Sequence, residues 1–380
     1  MKKLFLFLTI AITLTACTND DRYTWEDDFA DLTETDTIRI AIAWAGANAS
    51  VTGDDKGFVT VNGAHVTVRS STNKFLKLTL SGSTTDGSLL IYSWKMLGVE
   101  LNGVSITNQN GPAINNQCSK AFVVTCAAGT TNTLADGTTY SAAPVTVNGD
   151  TIDQKGTLFS EGQIYFRGEG TLNIHAAAKN GIASDDYIVF EDGTVNVNVA
   201  ATGSNGIKVN DGFTMNGGQL TIDVKADGAR GIKSDARTTI QGGLTTITTS
   251  GDCKIEMMNG ISDTTSAAGI KSDSLFVMTG GTLNITSTGD GGKGINCSEN
   301  VEFRGGTLQV NTTGSNDVGK PKGIKSDTGI IVSGGSFNVT VKKSWALDNG
   351  NESEDPDDRV TVLGTPLIKT LLKRSVTIRY

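Results

Sequence analysis

The pentapeptide GIKSD stands at residues 231–235, 269–273 and 323–327, and looser copies stand at 181–185 (GIASD), 206–210 (GIKVN) and 294–298 (GINCS). Between the opening glycines, Gly181, Gly206, Gly231, Gly269, Gly294 and Gly323, the steps are 25, 25, 38, 25 and 29 residues. Twelve residues after each opener comes another glycine (Gly193, Gly218, Gly243, Gly281, Gly306, Gly335), itself preceded by glycine in every copy but one, where Asp192 stands. Apolar residues then alternate with polar ones: Val195 and Val197, Leu220 and Ile222, Leu283 and Ile285, Leu308 and Val310, Phe337 and Val339. A period of this length marks a stacked architecture. The two long steps read as insertions of 13 and 4 residues into a 25-residue unit.

Alternation with a period of two means strand, and no helical stripe of useful length runs between residues 40 and 350. One unit holds three short strands, at GIKSD, around LFVMTGG and at TLNIT, separated by glycines and polar residues where the chain must turn. A single such coil cannot bury its inward Ile, Val and Leu, whereas coils stacked about 4.8 Å apart build a continuous apolar column. A propeller blade needs about 40 residues and four antiparallel strands, so the pattern predicts an all-β fold: one parallel β-helix with about 25 residues per coil. Its end coils would expose apolar surface and open strand edges. Residues 38–70, from IRIAIAW through VTVNGAHVTVRS, read as an N-terminal β cap. The acidic 351–359 stretch reads as a turn or loop, and the closing VTVLGTPLIKTLLKRSVTIRY as a C-terminal β cap.

The chain opens MKKLFLFLTIAITLTAC, two lysines followed by an apolar run too short to span a membrane as a helix. Residues 1–17 therefore read as a secretory signal, and LTAC resembles the lipobox of bacterial lipoproteins, with Cys17 as the lipidated residue. Asp20 and Asp21 behind it resemble the acidic surface-export tags of some Gram-negative lipoproteins. The expected organisation is a signal at 1–17, a polar tether at 18–37 and a folded domain at 38–380, on an outer-membrane lipoprotein at the cell surface, monomeric.

A net charge of −8 and a pI near 4.9 argue against binding nucleic acid through phosphate neutralisation, and favour divalent cations as partners. With two histidines, His65 and His175, neither a zinc site nor histidine acid–base catalysis is expected, and no serine-hydrolase elbow, HExxH or P-loop sequence occurs. Cys297 reads as a small core residue; Cys118 and Cys126 either pair in an oxidising compartment or stay free. Trp94 and Trp345 either pack as cap residues or stack on sugar rings.

If Ile232 points inward, then Ser234 does too, while Lys233 and Asp235 point out. Stacking thus builds one outward file of Lys208, Lys233, Lys271 and Lys325, and another of Asp185, Asn210, Asp235, Asp273 and Asp327, with Asp186, Asp211 and Glu299 one position on. Either the files neutralise each other as a solvated ladder worth little per pair, or carboxylates of adjacent coils close on Ca²⁺ while the lysines hold anionic sugars. Asp185, Asp186, Asp211 and Asp235 cluster over three consecutive units and are the first candidates for ligands.

The order LNGVSIT, GPAI, NTLADG, GTLNI and then repeated GIKSD with GGTLNI resembles a family of bacterial surface carbohydrate-binding proteins with a calcium-binding, right-handed parallel β-helix, over about residues 40–350. The resemblance implies a pectate-lyase-like fold, attachment to the cell surface, and binding of plant polysaccharides such as polygalacturonate and cellulose. Departures are the insertion near KIEMMNGISDTTS, the GINCS unit and the CSKAFVVTCAAG segment. Three functions compete: a non-catalytic glycan binder; a Ca²⁺-dependent polysaccharide lyase with Lys208 or Lys233 as base beside Asp185, Asp211 and Asp235; and an adhesin or spacer without a specific ligand.

Overall fold

A computed structural model describes residues 36–146, 149–258, 260–315 and 318–380. The signal, Cys17 and the tether up to residue 35 lie outside the described residues. Three strands per coil stack into three flat faces, and the parallel β-helix expected from the 25-residue period is the fold. Face one is a twelve-stranded sheet in which every strand from His65–Ser70 to Trp345–Asp348 pairs in parallel with the next, the Val59–Asn62 strand joining antiparallel at its start. Faces two and three count as one 23-stranded sheet. They merge through the long strand Leu97–Asn108, whose first half pairs with Phe122–Cys126 and whose second half pairs with Thr131–Asp136.

The structure explains the pentapeptide residue by residue. Its isoleucines stack in register, and Ile182, Ile207, Ile232, Ile270, Ile295 and Ile324 are fully buried. Each such side chain contributes about 1.5–3 kcal/mol of transfer free energy. The serines are buried as well and give their hydroxyls to carbonyls at the corner leading to face two: Ser184 to Gly162, Ser272 to Ala236, Ser326 to Glu299. That satisfies polar groups which burial would otherwise penalise. Cys297 takes the serine's place in its coil, its thiol directed at the Ser274 carbonyl.

The opening glycine is steric. A Cβ on Gly269 would lie 2.3 Å from Ile285 Cγ2 and 2.8 Å from the Gly294 carbonyl oxygen, and the openers of the other units meet the matching Val or Ile of face three in the same way. The second glycine of the GG pair does a different job. Gly243 turns the corner between faces two and three at φ +69°, a left-handed conformation that side chains disfavour.

Inside face two, aromatic rings stack from coil to coil, with Phe166 and Phe190 4.5 Å apart. Both ends close with antiparallel strands, as expected for caps. At the N-terminal end, Thr37–Ala45 continues the merged faces two and three in parallel with Phe75–Thr84, so the antiparallel cover is confined to Asn48–Thr52 and Val59–Asn62 and is smaller than the sequence suggested. At the C-terminal end, Ser375–Arg379 and Ile368–Leu372 cover the last strand of face three. The 351–359 stretch contains a short 3₁₀ turn, Pro356–Arg359.

Both insertions fall between face three and face one. The 13-residue one is an antiparallel hairpin, Lys254–Met258 with Ile261–Thr265. A third long connection, residues 137–155, leaves at the same corner. It is anchored by the buried Asp136, which accepts from Tyr140 Oη (2.6 Å), Thr157 Oγ1 (2.9 Å) and the Ala177 amide (2.6 Å). Burial, and then the Asp136 charge, raise the Tyr140 pKa and keep that phenol protonated. Cys118, Cys126, Cys253 and Cys297 are all free.

Candidate functional site

Outward lysines and aspartates run along face one in the predicted files, but they bind one another. Lys208 lies 2.8 Å from Asn210 Oδ1 and 2.5 Å from Asp235, Lys233 lies 3.2 Å from Asp235, Lys271 lies 2.7 Å from Asp273, and Lys325 pairs with Asp327. The lysine file is interrupted by Asn296 in the GINCS coil. Burial alone would raise the Asp235 pKa, but Lys208 and Lys233 together pull it below the usual carboxylate range. These partly exposed pairs form the solvated ladder and are worth at most about 1 kcal/mol each.

The carboxylates come together differently at the N-terminal end of the regular coils. Asp185 meets Glu161, one coil before it on the same file, and Asp153 from the 137–155 connection; ligand oxygens of the three lie within 4.8 Å of one another. Among the described residues this is the one group of three or more such side chains at metal-binding spacing. Asp186, Asp211, Asp235, Asp273 and Asp327 do not join it. Asp186 turns toward the corner, where it accepts from Gln163 Nε2 at 2.6 Å; burial, and then the nearby Asp211, raise its pKa.

Lys155 sits among the three carboxylates, 2.6 Å from Asp153 and 2.5 Å from Asp185. One ammonium does not neutralise three carboxylates. Glu161 carries the residue of that imbalance: burial, followed by the charges of Asp185 and Asp153, pushes its carboxyl up to about 7. Amides complete the surroundings. Asn210 Nδ2 donates to Asp185 at 3.3 Å, and Asn115 Nδ2 holds the Asp153 carbonyl at 2.9 Å.

Sequence reasoning found Asp185 but missed Asp153 and Glu161. Glu161 was within reach, because it stands one coil before Asp185 at the same place after a buried serine. Asp153 lies in a connection without periodicity, and nothing in the sequence marks where that connection folds back.

A second concentration of charge is basic. Under the hairpin, Lys293, Lys320, Lys322 and Lys325 line a cavity with Asp348. Asp348 is shared between Lys322 at 2.8 Å and Arg359 at 3.5 Å. Burial, and then the charges of Lys325 and Arg230, lower the Lys293 pKa to about 8.

The tryptophans divide. Trp345 is 9% exposed beneath the Arg359 guanidinium, 3.8 Å from its ring centre, so it packs; Trp94 is 60% exposed.

The family model for carbohydrate-binding domain-containing proteins matches residues 62–230 and 223–317, more than half of the chain. The chain belongs to this carbohydrate-binding family. The match takes in the acidic cluster, the inserted hairpin and the coils up to residue 317; the last GIKSD coil, 323–327, lies beyond it. No curated protein matches the chain. Among solved structures, a polysaccharide lyase-like protein from C. thermocellum, studied as a gadolinium derivative, is similar at 21% identity with a TM-score of 0.56, covering 70% of this chain and 97% of that one. At that identity the likeness extends to the β-solenoid fold.

Proposed function

We propose that this carbohydrate-binding protein is a non-catalytic, lipid-anchored surface binder of acidic plant-type polysaccharide, polygalacturonate above all and cellulose as a further ligand, held in part through Ca²⁺ at Asp153, Glu161 and Asp185. The observation that carries the reading is the excess of negative charge in that cluster. Ca²⁺ takes about 6–8 hard oxygen ligands, of which the three carboxylates would supply part and water and the glycan the rest, and Lys155 offsets only part of their charge. The residues therefore fit the ion. When bound, it would supply a bridge between protein carboxylates and the carboxylates of the glycan. Lys155 would yield its place, and Glu161 would give up its proton.

Lipidation at Cys17 accounts for the anchor, in an outer-membrane lipoprotein facing outward. A lyase needs a base free to take a proton from the sugar, and both lysines suggested for that role, Lys208 and Lys233, spend their donors on Asp235 and its neighbours. This favours binding without chemistry.

The test is retention of the full chain on polygalacturonate and on cellulose, with and without a calcium chelator, while following the ultraviolet absorbance of a 4,5-unsaturated product. Chelator-sensitive retention with flat absorbance is the expected result. Steady growth of absorbance would make the protein a lyase, and absence of retention on every glycan would leave an adhesin or spacer.

A further inference from the structure

A groove of about 370 Å³ crosses the corner between faces one and two near the N-terminal end, lined by Trp94, Met96, Gln163, Lys74, Lys95 and Lys120 among others. Two independent observations set it apart. The first is the indole of Trp94, 60% exposed yet held in place, its Nε1 donating to the Thr72 carbonyl at 2.9 Å. An aromatic face fixed by its polar edge and left open to water costs apolar exposure that a stacked partner would remove.

The second observation is charge. In a chain of net charge −8, three lysines line this groove and no described lining residue is a carboxylate. Lys95 and Lys120 form no ion pair with a described residue, unlike Lys208, Lys233, Lys271 and Lys325, which all do.

The groove also has the right direction for an extended polymer. Trp94, Lys120 and Gln163 stand at the same corner of three successive coils, a rise of about 4.8 Å per coil. Gly162 lets two of these coils approach closely at that corner, since a Cβ there would meet the Lys120 carbonyl oxygen at 2.4 Å. One coil further on, Gln163 donates to Asp186, the chain neighbour of Asp185.

We propose that this groove binds an acidic sugar unit directly, with the pyranose ring on the Trp94 indole and its carboxylate or sulfate ester between Lys95 and Lys120, without a divalent cation. The proposal rests on the polysaccharide-binding reading and adds a second, cation-independent contact to it. Mixed apolar and point-charge recognition in one concave strip is how small polar ligands are oriented.

Intrinsic fluorescence tests it on the full chain in excess chelator. Of the four tryptophans, Trp44 and Trp345 are buried and Trp25 lies outside the described residues, which makes Trp94 the exposed reporter among those described. Titration with uronate oligosaccharides, sulfated oligosaccharides and neutral cello-oligosaccharides separates the possible anions. The expected result is a saturable change in emission with at least one acidic series and a response about tenfold weaker, or none, with the neutral one. By calorimetry, Trp94→Ala and Lys95→Ala/Lys120→Ala should each weaken binding about tenfold, while Trp94→Phe, which keeps a stacking ring, should stay within about threefold. If wild type is retained on polygalacturonate but these variants bind the oligosaccharides like wild type, or neutral sugars bind as tightly as acidic ones, the groove assignment is overturned and the function stands. If wild type is retained on no glycan, both fall.

Discussion

Replacing Gly269 by alanine adds one methyl group to a place with no room for it. The new Cβ would stand 2.3 Å from Ile285 Cγ2, 3.3 Å from Ile285 Cδ1 and 2.8 Å from the Gly294 carbonyl oxygen. Carbon contacts are comfortable at about 3.5–4.0 Å, so Ile285 must retreat by about 1 Å. At 1% exposure it has no solvent to retreat into. Overpacking of this kind costs about 1–3 kcal/mol, and the upper end is expected here because one of the opposing atoms is backbone. Ile285→Ala alone should cost about 2–5 kcal/mol by leaving a cavity. In the double variant the added methyl occupies part of that cavity, so the two effects should fall short of additivity by about 1 kcal/mol or more. Gly329→Ala is the control: its Cβ would meet nothing closer than the Asn300 side chain at 3.1 Å, and a change within about 1 kcal/mol is expected. Urea denaturation measures all four, with amide hydrogen exchange in the 268–272 and 293–297 strands reporting local opening. Equal stability of Gly269→Ala and Gly329→Ala, or strict additivity with Ile285→Ala, would refute the steric account of the repeat's first residue.

The Glu161 carboxyl is raised from 4.5 to about 7, so between those pH values the folded chain holds a proton that the unfolded chain has lost, and this group's contribution to stability falls as pH rises through the window. Calcium must displace that proton: calorimetric affinity should be about 30-fold weaker at pH 5.5 than at pH 8.5, and Glu161→Gln should flatten the dependence while weakening binding at high pH. Lys293 shows the opposite sign. Its pKa is depressed from 10.5 to about 8, so stability is gained as pH rises between those values, and Lys293→Met should be more stable than wild type at pH 7 by urea denaturation and lose that advantage by pH 10.5. Asp235→Ala removes only partly exposed pairs; a stability change within about 1 kcal/mol and unaltered calcium affinity are expected from the same two assays.

Periodicity made the solenoid legible because each position of the unit has one physical task repeated coil after coil. Ile232 fills the column, Ser234 satisfies a corner, and Gly243 bends the chain; stacking imposes the same demand on each neighbour. The outward files were legible for the same reason, although the sequence left open whether Lys233 and Asp235 face each other or a ligand. The acidic cluster was half legible. Asp185 and Glu161 belong to the repeat, whereas Asp153 depends on a connection whose course is set by Asp136 accepting from Tyr140, Thr157 and Ala177, contacts that obey no period. Trp94 was seen, but exposure is a property of its surroundings, and composition around a lone tryptophan does not reveal whether its face is covered.

The most direct test of calcium-mediated glycan binding compares wild type with Asp185→Asn/Glu161→Gln on polygalacturonate at pH 8, with and without chelator. These substitutions keep the side-chain shape and one acceptor oxygen on each residue while removing two of the three charges at the site. The account predicts that the variant remains folded, is retained to the level of chelated wild type, and no longer responds to added calcium. Calcium-enhanced retention equal to that of wild type would contradict it.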